Sequence, residues 1–344
     1  MQTSHPDRDG NPLRLLLVHA HPDDETTTTG ATIARYAAEG VGVTLVTCTR
    51  GERGEILDPT VDTSGAADPA DALGQHRLGE LAAAAAALGV TDVRLLGGAG
   101  TWWDSGMAGT DTTTDPRAFS AGDHDLQTSQ LVAILRQVRP QVVISYDERG
   151  GYGHPDHIRA HDIAASAVVA AADPTAAPTA GPPWVTSKLY AAVVPVSLLA
   201  QAMTTLAGAR LDGPNPFAEV AAAIGGPPNA TEGPPGGADS PLAQLPFGVP
   251  DAAVTTRIDA RDWLPAKAAA MRAHRSQMHA NGWFFALAED PGRGFGVEHY
   301  QLLRGRAEPP APGEPETDLF AGLRPAPDSS TDSNLEVAVD APGS

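Results

Sequence analysis

The chain has 344 residues and a formal net charge of −19, from 23 Lys and Arg against 42 Asp and Glu. That balance argues against an electrostatic grip on nucleic acid or an anionic membrane, which requires clustered cations, and favours a neutral or cationic small molecule as ligand. The lone cysteine, Cys48, excludes an intramolecular disulfide and a Cys-rich zinc cluster; with a polar N-terminus and no apolar run of spanning length, it leads to the expectation of a soluble cytoplasmic protein, and no protein partner is implied.

The first half alternates short β-like runs with longer helical ones, a pattern that builds a parallel sheet with helices on both faces. Leu13 to Val18 is nearly all apolar, as a doubly covered central strand requires. A helix follows over Gly30 to Glu39, Gly40 stops it, and Val41 to Cys48 is the next strand. Gln75 to Leu88 reads as an Ala-rich helix ended by Gly89, Val93 to Leu96 as a short strand, and Leu126 to Val138 as a helix. The strand Val142 to Tyr146 and a helix from Asp156 to Ala172 come next. Right-handed crossovers then align the loops after Val18, Thr47, Leu96 and Tyr146 along the C-terminal edge of the sheet, where open α/β sheets bind ligands.

Beyond Ala172 the pattern weakens. The chain carries 36 Gly and 31 Pro, and many of them fall in 173–183 and 207–250, which read as surface insertions. Ser187 to Val194 and Ala253 to Ile258 read as strands, and Ala266 to Met278 as a helix with a basic face. The expected organisation is a flexible segment 1–12, one domain over 13–307, and a Pro-rich acidic tail 308–344 too poor in large apolar side chains to order itself.

Two loop segments carry the chemistry: His19-Ala20-His21-Pro22-Asp23-Asp24-Glu25 after the first strand, and Gly150-Gly151-Tyr152-Gly153-His154-Pro155-Asp156-His157 after the strand ending at Tyr146. Each couples imidazole to carboxylate, and three such ligands with one open position make a hydrolytic zinc site. Short motifs of this kind arise by chance when taken singly; two on one sheet edge are a much stronger signal. Asp156 either accepts a hydrogen bond from one of the imidazoles and fixes its tautomer or caps the following helix. His19 reads as structural. Trp102 and Trp103 either stack on a ligand ring or pack in the core. The charged turn Arg50 to Glu55 lies near the expected site.

His21-Pro22-Asp23-Asp24 together with His154-Pro155-Asp156-His157 resembles the paired signature of the LmbE-like, or PIG-L-type, zinc deacetylases. The resemblance spans about residues 13 to 172, with a looser echo at Glu298-His299-Tyr300. Within that family the chain is most similar to the mycothiol-biosynthesis deacetylases, through Gly97-Gly98-Ala99-Gly100, Asp104-Ser105-Gly106-Met107 and Gly151-Tyr152-Gly153. The resemblance implies His21, Asp24 and His157 as metal ligands, Asp23 as general base, His154 as general acid and Tyr152 as an oxyanion partner. It further implies Glu55, Arg77, Asp104 and Met107 as lining for the sugar and inositol pocket. As a helix residue, Arg77 has a surface ion pair as its alternative.

Arg50 to Leu57 and Asp318 to Gly322 look more like the sister mycothiol S-conjugate amidases, whereas Gly153 and the Asp104 to Met107 segment favour a deacetylase. The expected protein is therefore α/β and Rossmann-like, with a metal site at the C-terminal edge of a mostly parallel sheet. Its expected reaction is zinc-dependent hydrolysis of the N-acetyl group of N-acetylglucosaminyl-inositol, with ferrous iron an alternative metal. The rivals are the S-conjugate amidase and a non-catalytic metal- or sugar-binding module. A nucleotide-binding Rossmann domain is disfavoured because no Gly-x-Gly-x-x-Gly turn follows the first strand.

Overall fold

The computed structural model describes residues 6–206, 212, 247–279, 282–288 and 296–325. Seven strands form one sheet in the order β3-β2-β1-β4-β5-β7-β6. They are β1 (Arg14–His19), β2 (Gly42–Thr47), β3 (Asp92–Leu95), β4 (Val142–Ser145), β5 (Lys188–Val193), β6 (Thr256–Asp259) and β7 (Val297–Arg304). The first five are parallel; β7 runs antiparallel to β5, and β6 antiparallel to β7. The α/β, mostly parallel sheet with helices on both faces is thus present.

Strand alternation explains why β1 is apolar on both sides. Leu15 and Leu17 face one core, with Ile33, Leu45, Leu81 and Tyr300; Leu16 and Val18 face the other, with Val46, Leu131, Leu135 and Ile163. All four β1 side chains are fully buried, each contributing about 1.5–3 kcal/mol of transfer free energy. The first core is covered by α1 (Gly30–Ala38), α2 (Pro69–Ala87) and α6 (Leu264–Ala273), the second by α3 (His124–Val138) and α4 (Pro155–Ala172). Between β5 and β6 lies α5 (Val196–Leu206).

Several boundaries differ from the sequence reading for identifiable reasons. Helix α2 begins at Pro69, not Gln75, because the Asp68 carboxylate accepts from Ala70 N and Asp71 N and Pro69 takes the first helical position. Strand β7 and helix α5 were not anticipated. Glu298, on β7, accepts from Ala31 N (3.1 Å) and Thr32 N (2.7 Å) at the start of α1 and from Lys267 Nζ (2.8 Å). The late Glu298-His299-Tyr300 segment is therefore a structural link between sheet and helix. The Pro-rich insertion 207–250 lies almost wholly outside the described residues.

Both expected flexible ends are corrected in part. In the segment 6–12, Asp7 is buried and accepts from Gln141 Nε2 (2.8 Å). Residues 308–325 lie against the sheet rather than forming a loose tail: Leu319 and Phe320 are fully buried in the core beside Tyr36, and Glu316 is buried between strands. The Glu316 carboxylate takes Lys188 Nζ at 2.5 Å, the Tyr190 hydroxyl at 2.7 Å, the Thr256 hydroxyl at 3.0 Å and Glu308 N at 2.7 Å. The rest of the tail, 326–344, is outside the described residues.

Removing one partner of a buried, hydrogen-bonded ion pair strands the other charge. Glu316→Ala is accordingly expected to lower unfolding stability by about 3–5 kcal/mol in a denaturant titration, and Lys188→Met with Glu316→Leu to recover most of that. A loss under about 1 kcal/mol for Glu316→Ala would mean that this pair does not hold the C-terminal segment on the sheet.

Candidate functional site

Strand β1 ends at His19 and β4 at Ser145, and their parallel register (Leu15↔Val142, Leu16↔Val143, Leu17↔Ile144) sets their C-terminal ends side by side. The chain leaves β1 through His21 into a single helical turn, Asp24–Thr27, and leaves β4 through the turn Gly150–Gly153 into α4. His157 lies in the first turn of α4, so its ring is delivered to the loop that carries His21 and Asp24.

Three side chains converge there. His21 Nδ1 lies 3.4 Å from Asp24 Oδ2, His157 Nε2 lies 3.3 Å from Asp24 Oδ1, and the two ring nitrogens are 3.3 Å apart. A tetrahedral cation bound at 2.0–2.1 Å has ligand-to-ligand edges of about 3.4 Å, so this donor set fits a divalent metal in both chemistry and size. Two overlapping groups, His21-His154-His157 and His21-Asp104-Asp156, also bring donor atoms within 4.8 Å of one another. In those groups, however, His154 Nδ1 and Asp156 are already engaged in hydrogen bonds.

Each of the three converging groups is oriented from behind. His21 Nε2 bonds Asp156 Oδ2 (3.1 Å), His157 Nδ1 bonds the Gly150 carbonyl (3.1 Å), and the Tyr146 hydroxyl donates to Asp24 Oδ2 (2.7 Å) while accepting from Ala20 N (2.9 Å). The Tyr146 ring also stacks on His157, with centroids 4.2 Å apart. Such partners fix imidazole tautomers and ring planes around metals. Asp156 is further held by Ser105 N (2.8 Å) and the Ser105 hydroxyl, so it orients an imidazole and is not the helix cap. The cap of α4 is His154, whose Nδ1 accepts from Asp156 N at 3.1 Å.

That bond leaves Nε2 as the His154 nitrogen available to a substrate. Burial, then the nearby His21 and His157, push the His154 pKa down to about 4, so near neutral pH the ring is uncharged with its proton on Nε2. Burial pushes Asp23 up to about 6 against the pull of Arg77, with Asp24 adding to the rise. Among the described residues Asp23 is one of three non-glycine residues with positive φ, at 114°, a conformation costing about 1–3 kcal/mol that is typical of functional sites. Tyr152 stands at the opening, 47% exposed, with its ring edge-on to His157 at 5.0 Å and to His154 at 6.2 Å.

The four residues expected to line the pocket separate. Asp104 is buried with Oδ1 3.6 Å from His21 Nε2, and its carboxylate accepts from Gly106 N. Arg77 is 2% exposed and not a surface ion pair. It donates to the carbonyls of Gly51 (2.7 Å) and Pro22 (2.5 Å) and reaches Asp23 Oδ2 at 3.4 Å. Gly51 permits this packing: its φ is +70°, and a Cβ would sit 2.0 Å from Arg77 Nη1. Glu55 and Met107 are exposed on their loops. Trp102 and Trp103 are buried, Trp102 edge-on to Phe119 and Trp103 beneath the Arg117 guanidinium at 3.8 Å, so both belong to the packing. His19 is likewise buried, bonded to the Thr29 hydroxyl at 3.2 Å.

The sequence reading missed the functional proximity of Tyr146, Glu25 and His274. Tyr146 carried a usable signal, since it follows directly on the strand that feeds the second motif. His274 lies 249 residues from Glu25 yet bonds it at 2.6 Å, a contact no local pattern reveals.

A family model for GlcNAc-PI de-N-acetylases (PIG-L) matches residues 16–168. The chain is 54% identical over 333 residues to a 1D-myo-inositol 2-acetamido-2-deoxy-alpha-D-glucopyranoside deacetylase of Catenulispora acidiphila, covering 94% of this chain and 90% of that one. It is 51% identical over 310 residues to the enzyme of the same name from Acidothermus cellulolyticus, covering 90% and 94%. Among solved structures, N,N'-diacetylchitobiose deacetylase from Pyrococcus horikoshii shares the fold with a TM-score of 0.53 at 19% identity, over 84% of this chain and 83% of that one. With both histidine motifs inside the matched region and relatives of this identity along most of its length, the chain belongs to the PIG-L, or GlcNAc-PI de-N-acetylase, family.

Proposed function

We propose that the protein removes the acetyl group from the amino-sugar nitrogen of N-acetylglucosaminyl-inositol, releasing acetate and the free amine, as a step of mycothiol biosynthesis. The observation that carries this reading is the convergence of His21, Asp24 and His157 at mutual distances of 3.3–3.4 Å beside Asp23 and His154. The names of the relatives at about half identity support the choice of substrate. Among the described residues no helix is long and apolar enough to cross a membrane, and we place the reaction in the cytoplasm, where a lone buried Cys48 stays reduced.

His21, Asp24 and His157 would hold the metal, zinc in our reading and ferrous iron as the alternative. Bound there, a divalent cation supplies a Lewis acid that acidifies water and polarises the acetyl carbonyl. Asp23, with its raised pKa, takes a proton from water as the oxygen adds to the acetyl carbon. The Tyr152 hydroxyl stands at the opening to donate to the oxyanion. The Nε2–H of His154 meets the amine nitrogen, and the C–N bond breaks as that nitrogen gains a proton. That proton is the one Asp23 took from water; His154, already neutral, holds the nitrogen by a hydrogen bond, and the products are the free amine and acetic acid, which ionises to acetate. Asp104 and the exposed Glu55 and Met107 are assigned to the sugar and inositol, while Arg77 reaches the site through the base.

Amine release from N-acetylglucosaminyl-inositol, read with fluorescamine, is expected to stop when chelator strips the protein and to return on adding zinc or ferrous ion. A mycothiol S-conjugate is expected to release little. Release from the conjugate alone would instead make the protein an amidase using the same ligands, and release from neither would leave a binding module.

Asp23→Asn keeps the shape of the base without its basicity. Turnover is expected to fall about 10²- to 10⁴-fold, with metal content unchanged by elemental analysis. A variant with turnover close to that of the wild type would remove Asp23 from the role of base.

A further inference from the structure

The Pro22–Asp23 peptide group is gripped on both of its polar atoms by buried side chains, one from the distant helix α2 and one from Glu25, two residues on. Its carbonyl oxygen accepts from Arg77 Nη2 on α2 at 2.5 Å. Its N–H donates to Glu25 Oε2 at 2.9 Å. The other Glu25 oxygen bonds His274 Nε2 at 2.6 Å, just past the end of α6. Glu25 and His274 are both fully buried. The Asp23 carbonyl, in turn, accepts from Thr26 N (2.9 Å) and the Thr26 hydroxyl (2.8 Å).

The backbone of Asp23 is therefore bonded at every polar atom, at a residue whose φ of 114° an L-amino acid rarely adopts. A conformation of that kind persists only where its surroundings over-determine it. Glu25 supplies an acceptor to the strained peptide, and His274 engages the other oxygen of the same carboxylate and so fixes its plane. The segment that contributes His274 belongs to a different part of the sheet's cover, and its docking thereby sets the aim of the Asp23 side chain.

We propose that Glu25 and His274 are positioning residues for the general base, holding the Pro22–Asp23 peptide so that the Asp23 carboxylate points at the reacting water. Arg77 completes the grip from the opposite side. The inference rests on the assignment of Asp23 as base and adds to it the device that aims it. Among the described residues, neither side chain is hydrogen-bonded to those of His21, Asp24 or His157, so the device acts on proton transfer and not on metal retention.

The test measures kcat, KM and metal content on N-acetylglucosaminyl-inositol for Glu25→Ala and Glu25→Gln, each alone and in the Asp23→Asn background. Misaiming a reacting group by about 1 Å costs on the order of 100-fold, so Glu25→Ala is expected to lower kcat roughly 10- to 100-fold with KM within about threefold and metal content unchanged. Glu25→Gln keeps an oxygen for the Asp23 N–H and is expected to stay within about threefold of wild type. In the Asp23→Asn background, where there is no base left to aim, Glu25→Ala is expected to add less than about threefold. If Glu25→Ala does not fold, His274→Gln takes its place, with a fall in kcat that disappears in the Asp23→Asn background. Unchanged kcat in a folded Glu25→Ala or His274→Gln protein, or an equal loss with and without Asp23, overturns the proposal. Wild-type turnover by Asp23→Asn alone overturns the base assignment and, with it, this device, and is told apart because it appears before any change at Glu25.

Discussion

The structure depends first on the parallel pairing of β1 with β4. The two motifs lie more than 120 residues apart, and neither alone can supply three ligands with an open position. In-register pairing at Leu15↔Val142 through Leu17↔Ile144 ends both strands at one level, and each loop then needs only a few residues to reach a common point. A one-residue slip would exchange the two faces of β1 and send Leu15 and Leu17 into the core packed around Leu16 and Val18, so the packing of both cores also fixes the site. Packing energy thus holds together groups that would otherwise repel or lose hydration.

Those groups form a dense cluster in which His21, His154, His157, Asp104 and Asp156 are all buried. Buried polar and charged groups are tolerated when paired, and here nearly every one has a partner: Asp156 with His21 and Ser105, Asp24 with Tyr146 and both ligand rings, His154 with a helix N–H. Burial disfavours the charge on Asp24, but His157 and His21 hold its carboxyl well below the usual range. Asp23 departs from this pattern, with a pKa raised chiefly by burial. One Asp of the adjacent pair is thus kept ionised between two imidazoles, while its neighbour is left basic enough to take a proton near neutral pH. Two carboxylates with consecutive numbers acquire different chemistry because their surroundings differ.

Much of the fold was legible because α/β architecture writes itself locally. An apolar run such as Leu13–Val18, a glycine such as Gly40 or Gly89 at a helix end, and the spacing between them suffice to place strands and helices. The loops that carry His21, Asp24 and His157 likewise follow legible strands, while their choice as ligands rests on the family resemblance. What escaped the sequence are contacts whose partners lie far apart along the chain. Glu316 looked like one more acid in a Pro-rich tail, yet it is buried against Lys188, 128 residues away, and the apolar pair Leu319-Phe320 is too short to register in a composition average. For Arg77 the helix pattern left a surface ion pair as the alternative to pocket lining, and the turn at Gly51 makes the opening into which it folds.

The division between buried and exposed residues also bears on specificity within the family. His21, Asp24 and His157, like Glu25 with His274, are enclosed and bonded to one another, so changing any of them disturbs several neighbours at once. Tyr152, Glu55 and Met107 stand on loop surfaces, where substitution leaves the cluster intact. Chemistry common to amide hydrolysis can then stay in the enclosed part while the exposed loops adapt to the size of the acyl group and the identity of the aglycone. The sequence features that resembled the amidase, the Arg50 to Leu57 turn and Asp318 to Gly322, divide along this line. Arg50 and Glu52 bond each other in a buried network, and Asp318 bonds the Tyr36 hydroxyl at 2.8 Å in the cover of the sheet. Those bonds describe how the scaffold is held, and within the Arg50 to Leu57 turn Glu55 is the residue that stands exposed on the surface. Discrimination between acetyl and a bulky thioether acyl group must come from residues that stand in the opening, and on that ground the loop bearing Asp104 to Met107 is the more informative part of the sequence.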